Sequence, residues 1–373
     1  MTSGDELAEA LAAAYPELAA VAAAAPDPVY LVGGAVRDLL LGRGRADIDL
    51  AVEGDPAALA AALGAEIVES HSRFGTFKLA LGGAMRAGEE IVDVASSRRE
   101  SYARPGALPT VDLGAPIRTD LARRDFTVNA MAVALDEPRE LIDPYDGQAD
   151  LEAGVLRAIH PGSFVDDPTR AIRAARYAAR FGFGIEPGTR ELLRATDLGT
   201  VTVERRWAEL RKLAEEASAV RALELLAGWG LVEPREGGES FALARDVDRL
   251  LAAPPWSEEA DRAEAILAAA LGPWENPFVG APPGRPSEGV RLAHGHDPIE
   301  LILARAGGAG WLDDWLRWRE VRLEITGADL TAAGLTGPAV GKALERALTA
   351  KLDGKAPTRA DELRHALDLL GSG

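Results

Sequence analysis

The hydrophobic pattern of this chain changes once, near residue 155, and this change restricts the folds open to it. Before that point, short β-branched and apolar runs alternate with helix-like segments. From about Phe164 onward, apolar residues recur at helical spacing, and Gly182, Gly199 and Gly228 lie where helices are expected to end. The sequence therefore predicts an α+β protein, with a small mixed α/β domain followed by an all-helical remainder.

The part of the chain before residue 155 contains the predicted strands of this small domain. They are VYLVGG (29–34), ADIDLAV (46–52), FKLALGG (77–83), EEIVDVA (89–95) and TVNAMAVAL (127–135). The segment DPAALAAALGA (55–65) is predicted to be a helix that begins at a carboxylate. Further along, residues 271–289 are rich in proline and glycine and are predicted to form a loop or linker.

The charge of the chain is unevenly distributed. The formal net charge is −18, yet residues 98–212 contain 18 Lys and Arg and 18 Asp and Glu. The acidic excess therefore lies outside this arginine-dense middle region, which can bind phosphates although the whole protein is acidic.

Two further features of the sequence concern the compartment. The chain contains no cysteine, which excludes a disulfide scaffold, a zinc–cysteine cluster and a thiol nucleophile. Residues 1–27 begin acidic and lack the basic region of a signal peptide, and Pro16 and Pro26 keep the apolar run far below the length of a membrane span. The sequence predicts a cytoplasmic protein with no membrane partner.

A glycine turn and two alternating carboxylates lie close together in YLVGGAVRDLLLGRGRADIDL, residues 30–50. Gly33 and Gly34 follow a predicted strand and open a predicted helix, where backbone N–H groups can bind phosphate. Asp47 and Asp49 are one residue apart on a predicted strand, so both side chains point to the same face. Because adjacent carboxylates repel each other unless a cation lies between them, the pair suits Mg²⁺. Taken alone, the pair is more typical of exposed acids at the end of a strand, but the glycine turn favours a nucleotide site.

Four arginines of the predicted helix that begins at Asp167 fall within about 120° of its circumference, at Arg170, Arg173, Arg176 and Arg180. A solvated charged face would be expected to carry glutamates four residues away, and residues 168–183 contain none. The stripe is therefore predicted to face phosphates or a base, with a solvated face as the alternative.

Several segments together resemble the nucleotidyltransferase superfamily, in its tRNA CCA-adding and bacterial poly(A) polymerase branch. The segments are LVGGAVRDLLLGR…DIDLAV (31–52), RRESYARPGALPTV (98–111), DLARRDFTVNAMAV (120–133), DPYDGQADL (143–151), DDPTRAIRAARYAARFGF (166–183), ERRWAELRKL (204–213) and ITGADL…GPAVGKAL from residue 325. Each motif is weak alone, but their occurrence in one order is specific. The resemblance extends from about residue 29 to residue 370.

The resemblance implies a fold and a division into domains. The implied fold is a small palm-like nucleotidyltransferase α/β head followed by an all-helical neck, body and tail. The implied division is an N-terminal helix (1–27), a catalytic head (28–155), a nucleotide-templating neck (156–215) and a tRNA-binding body and tail (216–373).

The resemblance also implies roles for individual residues. The catalytic carboxylates of the family fall on Asp47, Asp49 and Asp93, with Asp47 and Asp49 as metal ligands. The predicted nucleotide-binding residues are Gly33, Gly34, Arg37, Arg124, Asp167, Arg170, Arg173 and Arg176. Without the resemblance, Asp93 would be an ordinary strand acid, and Arg37 and Arg124 would be surface arginines. The sequence departs from the family pattern in two places, with Asp166 where Glu is usual and Asp146 where the first of two glycines is usual.

Asp167 and Arg170 are predicted to select the base. Cytosine and adenine both present an amino donor beside a ring-nitrogen acceptor, whereas uracil and guanine present the reverse. An accepting carboxylate and a donating guanidinium at positions i and i+3 of one helix therefore fit cytosine and adenine. The alternative is a local pair between a helix N-terminal acid and an arginine.

The function implied is template-independent addition of CCA to the 3′ end of tRNA from CTP and ATP, by two-metal transfer with Mg²⁺ and release of pyrophosphate. The alternatives are a poly(A) polymerase, an enzyme that adds only CC or only A, and a non-catalytic RNA-binding relative. The segment RRESYARPGALPTV favours the CCA-adding branch, and the retention of all three carboxylates favours an enzyme. The expected partners are the tRNA 3′ end, CTP and ATP.

Overall fold

The computed structural model describes residues 4–43, 45–81, 90–235 and 240–368. The chain divides into two compact units, residues 1–232 and 233–373. The ends of two predicted strands, residues 82–83 and 89, lie outside the described residues.

The strands of the first unit include those predicted around the glycine turn and the aspartates. The described strands are β1 (Val29–Val32), β2 (Asp49–Val52), β3 (Glu66–His71), β4 (Thr76–Leu81), β5 (Glu90–Ser96), β6 (Arg98–Ser101), β7 (Thr110–Leu113), β8 (Ala132–Ala134), β9 (Leu141–Ile142), β10 (Val155–Leu156) and β11 (Gly184–Ile185). Among them, seven form one sheet in the order β3-β4-β5-β2-β1-β8-β9. β2 and β5 are parallel, and the other pairs of this sheet are antiparallel.

The structure differs from the strand predictions at β2 and β8, and β3, β6, β7, β9, β10 and β11 were not predicted. β2 begins at Asp49 rather than at residue 46, so Asp47 precedes the strand. The predicted strand at 127–135 is reduced to β8, because residues Thr127–Asn129 form a 3₁₀ turn in which Asp125 accepts a hydrogen bond from the Asn129 amide side chain. β3 was not predicted, because all of its residues are exposed and it shows no alternation between a buried and a solvated face.

The helices of the first unit surround the sheet and continue after it. They are α1 (Gly4–Ala14), α2 (Leu18–Ala24), α3 (Gly34–Leu40), α4 (Pro56–Leu63), α5 (Ile117–Ala122), α6 (Gly147–Ala153), α7 (Ser163–Asp166), α8 (Thr169–Phe181), α9 (Pro187–Arg194), α10 (Val203–Ala214) and α11 (Ala219–Gly228). The helix predicted at 55–65 is confirmed as α4, where the Asp55 carboxylate accepts the N–H of Ala57 at 2.9 Å. Ile117 and Leu121 of α5 belong to a buried cluster with Val32 of β1 and Ala51 of β2.

The N-terminal segment forms two helices, α1 and α2, where the sequence predicted one. Pro16 lies between them, and a proline lacks the N–H that a continuous helix would need there. Of the helices in the described residues, none by itself has the length and apolarity of a membrane span. Glu6–Ala14 and Leu18–Ala24 meet that criterion only as a pair, with a bend of 102° between them.

The start of α8 corrects a prediction about Asp167. The helix begins at Thr169, and Asp167 is extended at φ −137° and ψ 93°. Pro168 explains the difference, because the residue before a proline is disfavoured in the helical region. Asp167 therefore precedes the helix that carries Arg170 instead of sharing it. The helix ends as predicted at Gly182, which has a left-handed φ of 71°.

The departure at Asp146 is accommodated by the backbone. Asp146 has a left-handed φ of 58°, a conformation that aspartate tolerates better than most residues. The following glycine is sterically required, because a Cβ at Gly147 would lie 2.3 Å from the carbonyl oxygen of Thr127. Only the first glycine of the usual pair is therefore replaceable here.

The second unit is helical in its described residues. Its helices are α12 (Ser240–Leu250), α13 (Arg262–Leu271), α14 (Pro286–Ala293), α15 (Pro298–Ala306), α16 (Leu312–Trp318), α17 (Gly327–Ala332), α18 (Pro338–Leu352) and α19 (Arg359–Leu367). Residues 272–285 contain no helix or strand, so most of the loop predicted at 271–289 is confirmed, whereas residues 286–289 belong to α14. The fully buried Glu362 holds the backbone segment that precedes α17. Its carboxylate accepts hydrogen bonds from the N–H groups of Glu324 and Ile325 at 2.8 and 3.0 Å.

Candidate active site

A cavity of about 890 Å³ in the first unit is lined by every residue that the sequence predicted for the site. These residues are Gly33, Gly34, Arg37, Asp47, Asp49, Asp93, Arg124, Asp167, Arg170, Arg173 and Arg176. They come from the sheet, the turn before α3 and the segment around α8. The fold therefore brings together side chains that are more than 100 residues apart in the sequence.

The three predicted catalytic acids lie on neighbouring strands. Asp49 is the first residue of β2 and is directly opposite Asp93 in the parallel pairing with β5. Asp47 is exposed, and the buried Ile48 separates it from the half-buried Asp49. This alternation keeps Asp47 and Asp49 on one side, as predicted, although Asp47 lies outside the strand.

The surroundings of Asp49 favour the binding of a cation. The pKa of its carboxyl is raised to about 6. Burial is the largest cause, and Asp93 and Asp47 act in the same direction, whereas Arg124 and Lys78 lower the pKa. In the described part of the chain, no hydrogen bond or ion pair engages the Asp49 carboxylate. A buried carboxylate with acidic neighbours and without a partner is the oxygen donor that a hard divalent ion prefers.

The acids are not already arranged as a metal cluster. No group of three acidic or histidine side chains with metal-binding geometry occurs among the described residues. Asp93 instead forms an ion pair with Lys78, whose Nζ is 3.4 Å from Asp93 Oδ1. The donor set fits a divalent cation in chemistry, and a cation that binds Asp93 competes with this lysine for the carboxylate.

The glycine turn allows an arginine to approach the backbone closely. Gly33 has a φ of 67°, and a Cβ at this position would lie 2.8 Å from Nη1 of Arg124. A side chain at residue 33 would therefore be strained and would displace the Arg124 guanidinium. Arg124 is held from the other side by the fully buried Asp120, whose carboxylate accepts from its Nη2 at 3.1 Å.

Arg37 of α3 is buried rather than exposed on the helix surface. Its Nη1 donates to the Asn129 side chain at 2.7 Å and its Nε to Asp38 at 2.9 Å. Its guanidinium also lies over the ring of Phe181, 4.4 Å from the ring centre. These contacts fix the orientation of Arg37 at the cavity wall.

Asp167 is surrounded by donors. Its carboxylate accepts from the Thr169 hydroxyl at 2.6 Å, from Nη2 of Arg205 at 3.1 Å and from Nη2 of Arg173 at 3.3 Å. Burial alone would raise its pKa, but Arg173, the Thr169 hydrogen bond and Arg205 together hold the pKa below its usual range. Asp167 is therefore a fixed, ionised acceptor at the cavity wall.

Arg170 is only 3 % exposed and is oriented by the polypeptide around it. Its Nη1 donates to the Ser163 hydroxyl at 2.8 Å, and its Nη2 donates to the carbonyl of Arg123 at 2.6 Å. Its Nε is buried and has no hydrogen-bond partner within the described residues. The Arg170 guanidinium is therefore held in one orientation at the cavity wall.

The other arginines of α8 find their acidic partners outside the helix. Arg173 donates to Asp125 at 3.0 Å, and although burial lowers the pKa of Arg173, Asp125 and Asp167 raise it above its usual value. Arg180 lies 3.4 Å from Glu216, which is also near Arg176. The helix itself contains no glutamate, and the acids that pair with these arginines come from other segments.

Comparison with known proteins places the chain in a family. Residues 29–157 match the model of the poly A polymerase head domain. A CC-adding tRNA nucleotidyltransferase of Deinococcus radiodurans is 34% identical over 92% of this chain and 90% of its own length. The chain belongs to the tRNA nucleotidyltransferase family. An A-adding tRNA nucleotidyltransferase of Geobacter sulfurreducens is 32% identical over 92% of this chain and 45% of its own length.

Solved structures of this family agree over nearly the whole chain. A CCA-adding enzyme in an apo form has a TM-score of 0.84 and 27% identity, covering 98% of this chain and 99% of that enzyme. A Thermotoga maritima CCA-adding enzyme complexed with tRNA has a TM-score of 0.76 and 27% identity over 98% of each chain. The predicted α+β fold, a nucleotidyltransferase head followed by helices, is confirmed. The chain spans only 45%, 48% and 24% of the length of three A-adding relatives that it matches.

Some residues of this nucleotidyltransferase site were not singled out from the sequence. Asp125, Asn129 and Arg205 hold Arg173, Arg37 and Asp167 respectively. Asp125 and Asn129 lie within the motif RRDFTVNA, and Arg205 lies within ERRW, so the motifs contained the signal. Lys78 lies in no motif and was found only from its ion pair with Asp93.

Proposed function

We propose that this chain adds CCA to the 3′ end of tRNA without a nucleic-acid template, using CTP and ATP and releasing pyrophosphate. The observation that carries the proposal is the shared cavity, whose wall includes two acids: Asp49, which is half-buried and has no partner within the described residues, and Asp167, a fixed, ionised acceptor. The first suits metal-assisted phosphoryl chemistry and the second suits selection of a base. Membership in the tRNA nucleotidyltransferase family supports the same conclusion.

In this proposal the carboxylates hold the cation and the arginines hold the triphosphate. Asp47 and Asp49 are the metal ligands, and Asp93 completes the catalytic set. Bound Mg²⁺ would supply the positive charge that lowers the pKa of the RNA 3′-hydroxyl and offsets the charge of the departing pyrophosphate. Arg37 and Arg124, which are already oriented by Asn129 and Asp120, bind phosphate oxygens beside Gly33 and Gly34.

The base is selected by Asp167 and Arg170 in this proposal, although they do not share a helix. Asp167 accepts from the exocyclic amino group of cytosine or adenine, and the guanidinium of Arg170 donates to the neighbouring ring nitrogen. Arg173 and Arg205 keep Asp167 ionised and in place, and Arg173 and Arg176 present positive charge along the same wall. Uracil and guanine would place a carbonyl against the carboxylate.

The remaining assignments made from the sequence stay predictions. These are the division at residues 27, 155 and 215, the binding of tRNA by residues 216–373, and the cytoplasmic location. The boundary between the compact units follows residue 232 and therefore lies inside the predicted body and tail. Solved complexes of related CCA-adding enzymes with ATP, CTP and tRNA support the proposal that this chain uses ATP, CTP and tRNA as substrates.

A second candidate function is addition of CC alone. It is favoured by the Deinococcus radiodurans relative, a CC-adding enzyme that matches this chain over 90% of its own length. The hairpin segment RRESYARPGALPTV, by its resemblance to CCA-adding members, favours complete CCA addition.

Incubation of the purified protein with tRNA transcripts that end before CCA, after C or after CC tests the proposal, with each nucleotide supplied singly. Complete CCA addition predicts CTP incorporation on the first two transcripts and ATP incorporation on the third. A CC-adding enzyme would leave the third transcript unchanged, and an A-adding enzyme would extend only that transcript. Homopolymeric adenylation of unrelated RNA would indicate a poly(A) polymerase, and no incorporation would indicate a non-catalytic RNA-binding protein.

A further inference from the structure

A lysine on the central sheet lies directly beside the predicted catalytic acids. Lys78 of β4 is opposite Asp93 of β5 in the antiparallel pairing, and Asp93 is in turn opposite Asp49 of β2. The Lys78 ammonium is 3.4 Å from Asp93 Oδ1. The pairing of the three strands thus fixes a row of one cation and two carboxylates across the sheet.

The charges around this row are not balanced. Arg124 and Lys78 are the cations that act on Asp49, against Asp93 and Asp47. Arg124 is already paired with the buried Asp120. Lys78 therefore provides positive charge to a group of acids whose other cationic neighbour is engaged elsewhere.

We propose that Lys78 is the counter-cation of this acidic group in the metal-free protein and competes with a divalent ion for it. This inference rests on the proposed function, because it takes Asp47, Asp49 and Asp93 as the acids that a metal ion engages. A metal ion that engages Asp93 competes with the lysine for the charge of the carboxylate, and the ammonium that remains nearby repels the ion. Lys78 therefore stabilises the metal-free sheet and weakens metal binding.

The expected size of this effect follows from the exposure of the pair. The side chains of Lys78 and Asp93 are 45% and 48% exposed, so water screens their interaction. Replacement of the lysine by a neutral residue is therefore expected to tighten metal binding by about three- to tenfold. An ordinary cross-strand pair without a role at the site would leave metal affinity unchanged.

The test is the binding of Mn²⁺ by the full-length protein without nucleotide, measured from the electron paramagnetic resonance signal of the free ion. A parallel titration follows the rise of the unfolding temperature with Mg²⁺. Lys78→Met is expected to bind the ions about three- to tenfold more tightly than the wild type, and Lys78→Arg is expected to bind like the wild type. Lys342→Met, at an exposed lysine of the second unit, is the matched control and should change nothing.

Equal affinities of Lys78→Met and the wild type would overturn the inference. Should Lys78→Met fold poorly, Lys78→Gln removes the same charge and retains a polar group at this half-exposed position. Asp49→Asn separates the inference from the proposed function. If Asp49→Asn binds Mn²⁺ as well as the wild type does, the proposed metal site is wrong. If Asp49→Asn loses Mn²⁺ binding while the Lys78 variants bind Mn²⁺ like the wild type, the metal site stands and the inference about Lys78 fails.

Discussion

Asp49 and Asp167 line the same cavity but have opposite surroundings. Asp49 is half-buried beside other acids and has no hydrogen bond or ion pair within the described residues, and its pKa is raised to about 6, mainly by burial. Asp167 is also mostly buried, yet Thr169, Arg173 and Arg205 surround it with donors and hold its pKa below its usual range. One carboxylate needs an additional cation, and the other is already neutralised by the protein.

This difference indicates how the two carboxylates are used. A site that must bind a divalent ion has to leave negative charge uncompensated, at a cost in stability when the ion is absent. A site that must recognise the hydrogen-bonding edge of a base needs an acceptor fixed in position before the base arrives. The comparison therefore indicates that the negative charge of Asp49 is compensated only when a cation binds. Asp167, by contrast, is held in position before the base binds.

The largest expected effect concerns catalysis at the uncompensated acids. Replacement of Asp47 or Asp49 by alanine is expected to lower the rate of nucleotide incorporation by about 10²–10⁴, because a metal ligand is lost. The measurement is single-turnover incorporation on a tRNA transcript with saturating Mg²⁺. Asp112→Ala, at an exposed position of β7, is the control. Near-normal rates in either cavity variant would show that these acids do not hold the metal.

The next prediction concerns the stability cost of Asp49. A carboxyl with a raised pKa in the folded state takes up protons on folding between about pH 4 and 6, so stability falls as the pH rises through this range. Asp49→Asn is therefore expected to stabilise the metal-free protein by about 1–3 kcal/mol above pH 6 and by almost nothing below pH 4. Urea denaturation with EDTA at pH 4 and pH 8 measures the difference. A destabilised variant at pH 8 would contradict the proposed charge imbalance.

A third prediction concerns selection of the base at Asp167. Asp167→Ala is expected to retain metal binding and some incorporation, and to narrow the preference for CTP and ATP over UTP and GTP by at least about tenfold. The neighbouring Asp166, which does not line the cavity, provides the control variant Asp166→Ala. Relative kcat/KM values for the four nucleotides give the answer. An equal loss for all four would assign Asp167 a structural role alone.

The smallest expected effect concerns the contribution of Asp167, the neutralised acid, to the stability of the protein. A pKa held below its usual value contributes stability above about pH 4, and this contribution is lost as the pH falls further. Asp167→Asn is therefore expected to destabilise the protein by about 1 kcal/mol at pH 7, opposite in sign to Asp49→Asn. The same denaturation series extended to pH 3 should show the deficit shrinking. If both asparagine variants change stability in the same direction, the contrast between the two carboxylates is wrong.

Most of the architecture could be predicted from local sequence. The change from strand to helix patterning, the helix after Asp55 and the loop within 271–289 follow from hydrophobic period, capping residues and proline content. The start of α8 was predicted two residues too early, because the residue before Pro168 is disfavoured in the helical region. The strand β3 was missed because it has no buried face. In both cases the hydrophobic period gave insufficient information.

The sequence by itself determined the fold class, the family and the residues of the predicted site, all of which line the cavity. Only the tertiary structure decided which of their charges are neutralised. Arg205 lies 38 residues from Asp167, and Asn129 lies 92 residues from Arg37, so packing alone brings these partners together. Strand pairing likewise places Lys78 beside Asp93. Asp49 has no such ion pair, and burial and the nearby carboxylates raise its pKa. Secondary structure depends on neighbours in the chain, whereas the electrostatics of a site depend on every charge within a few ångströms in space.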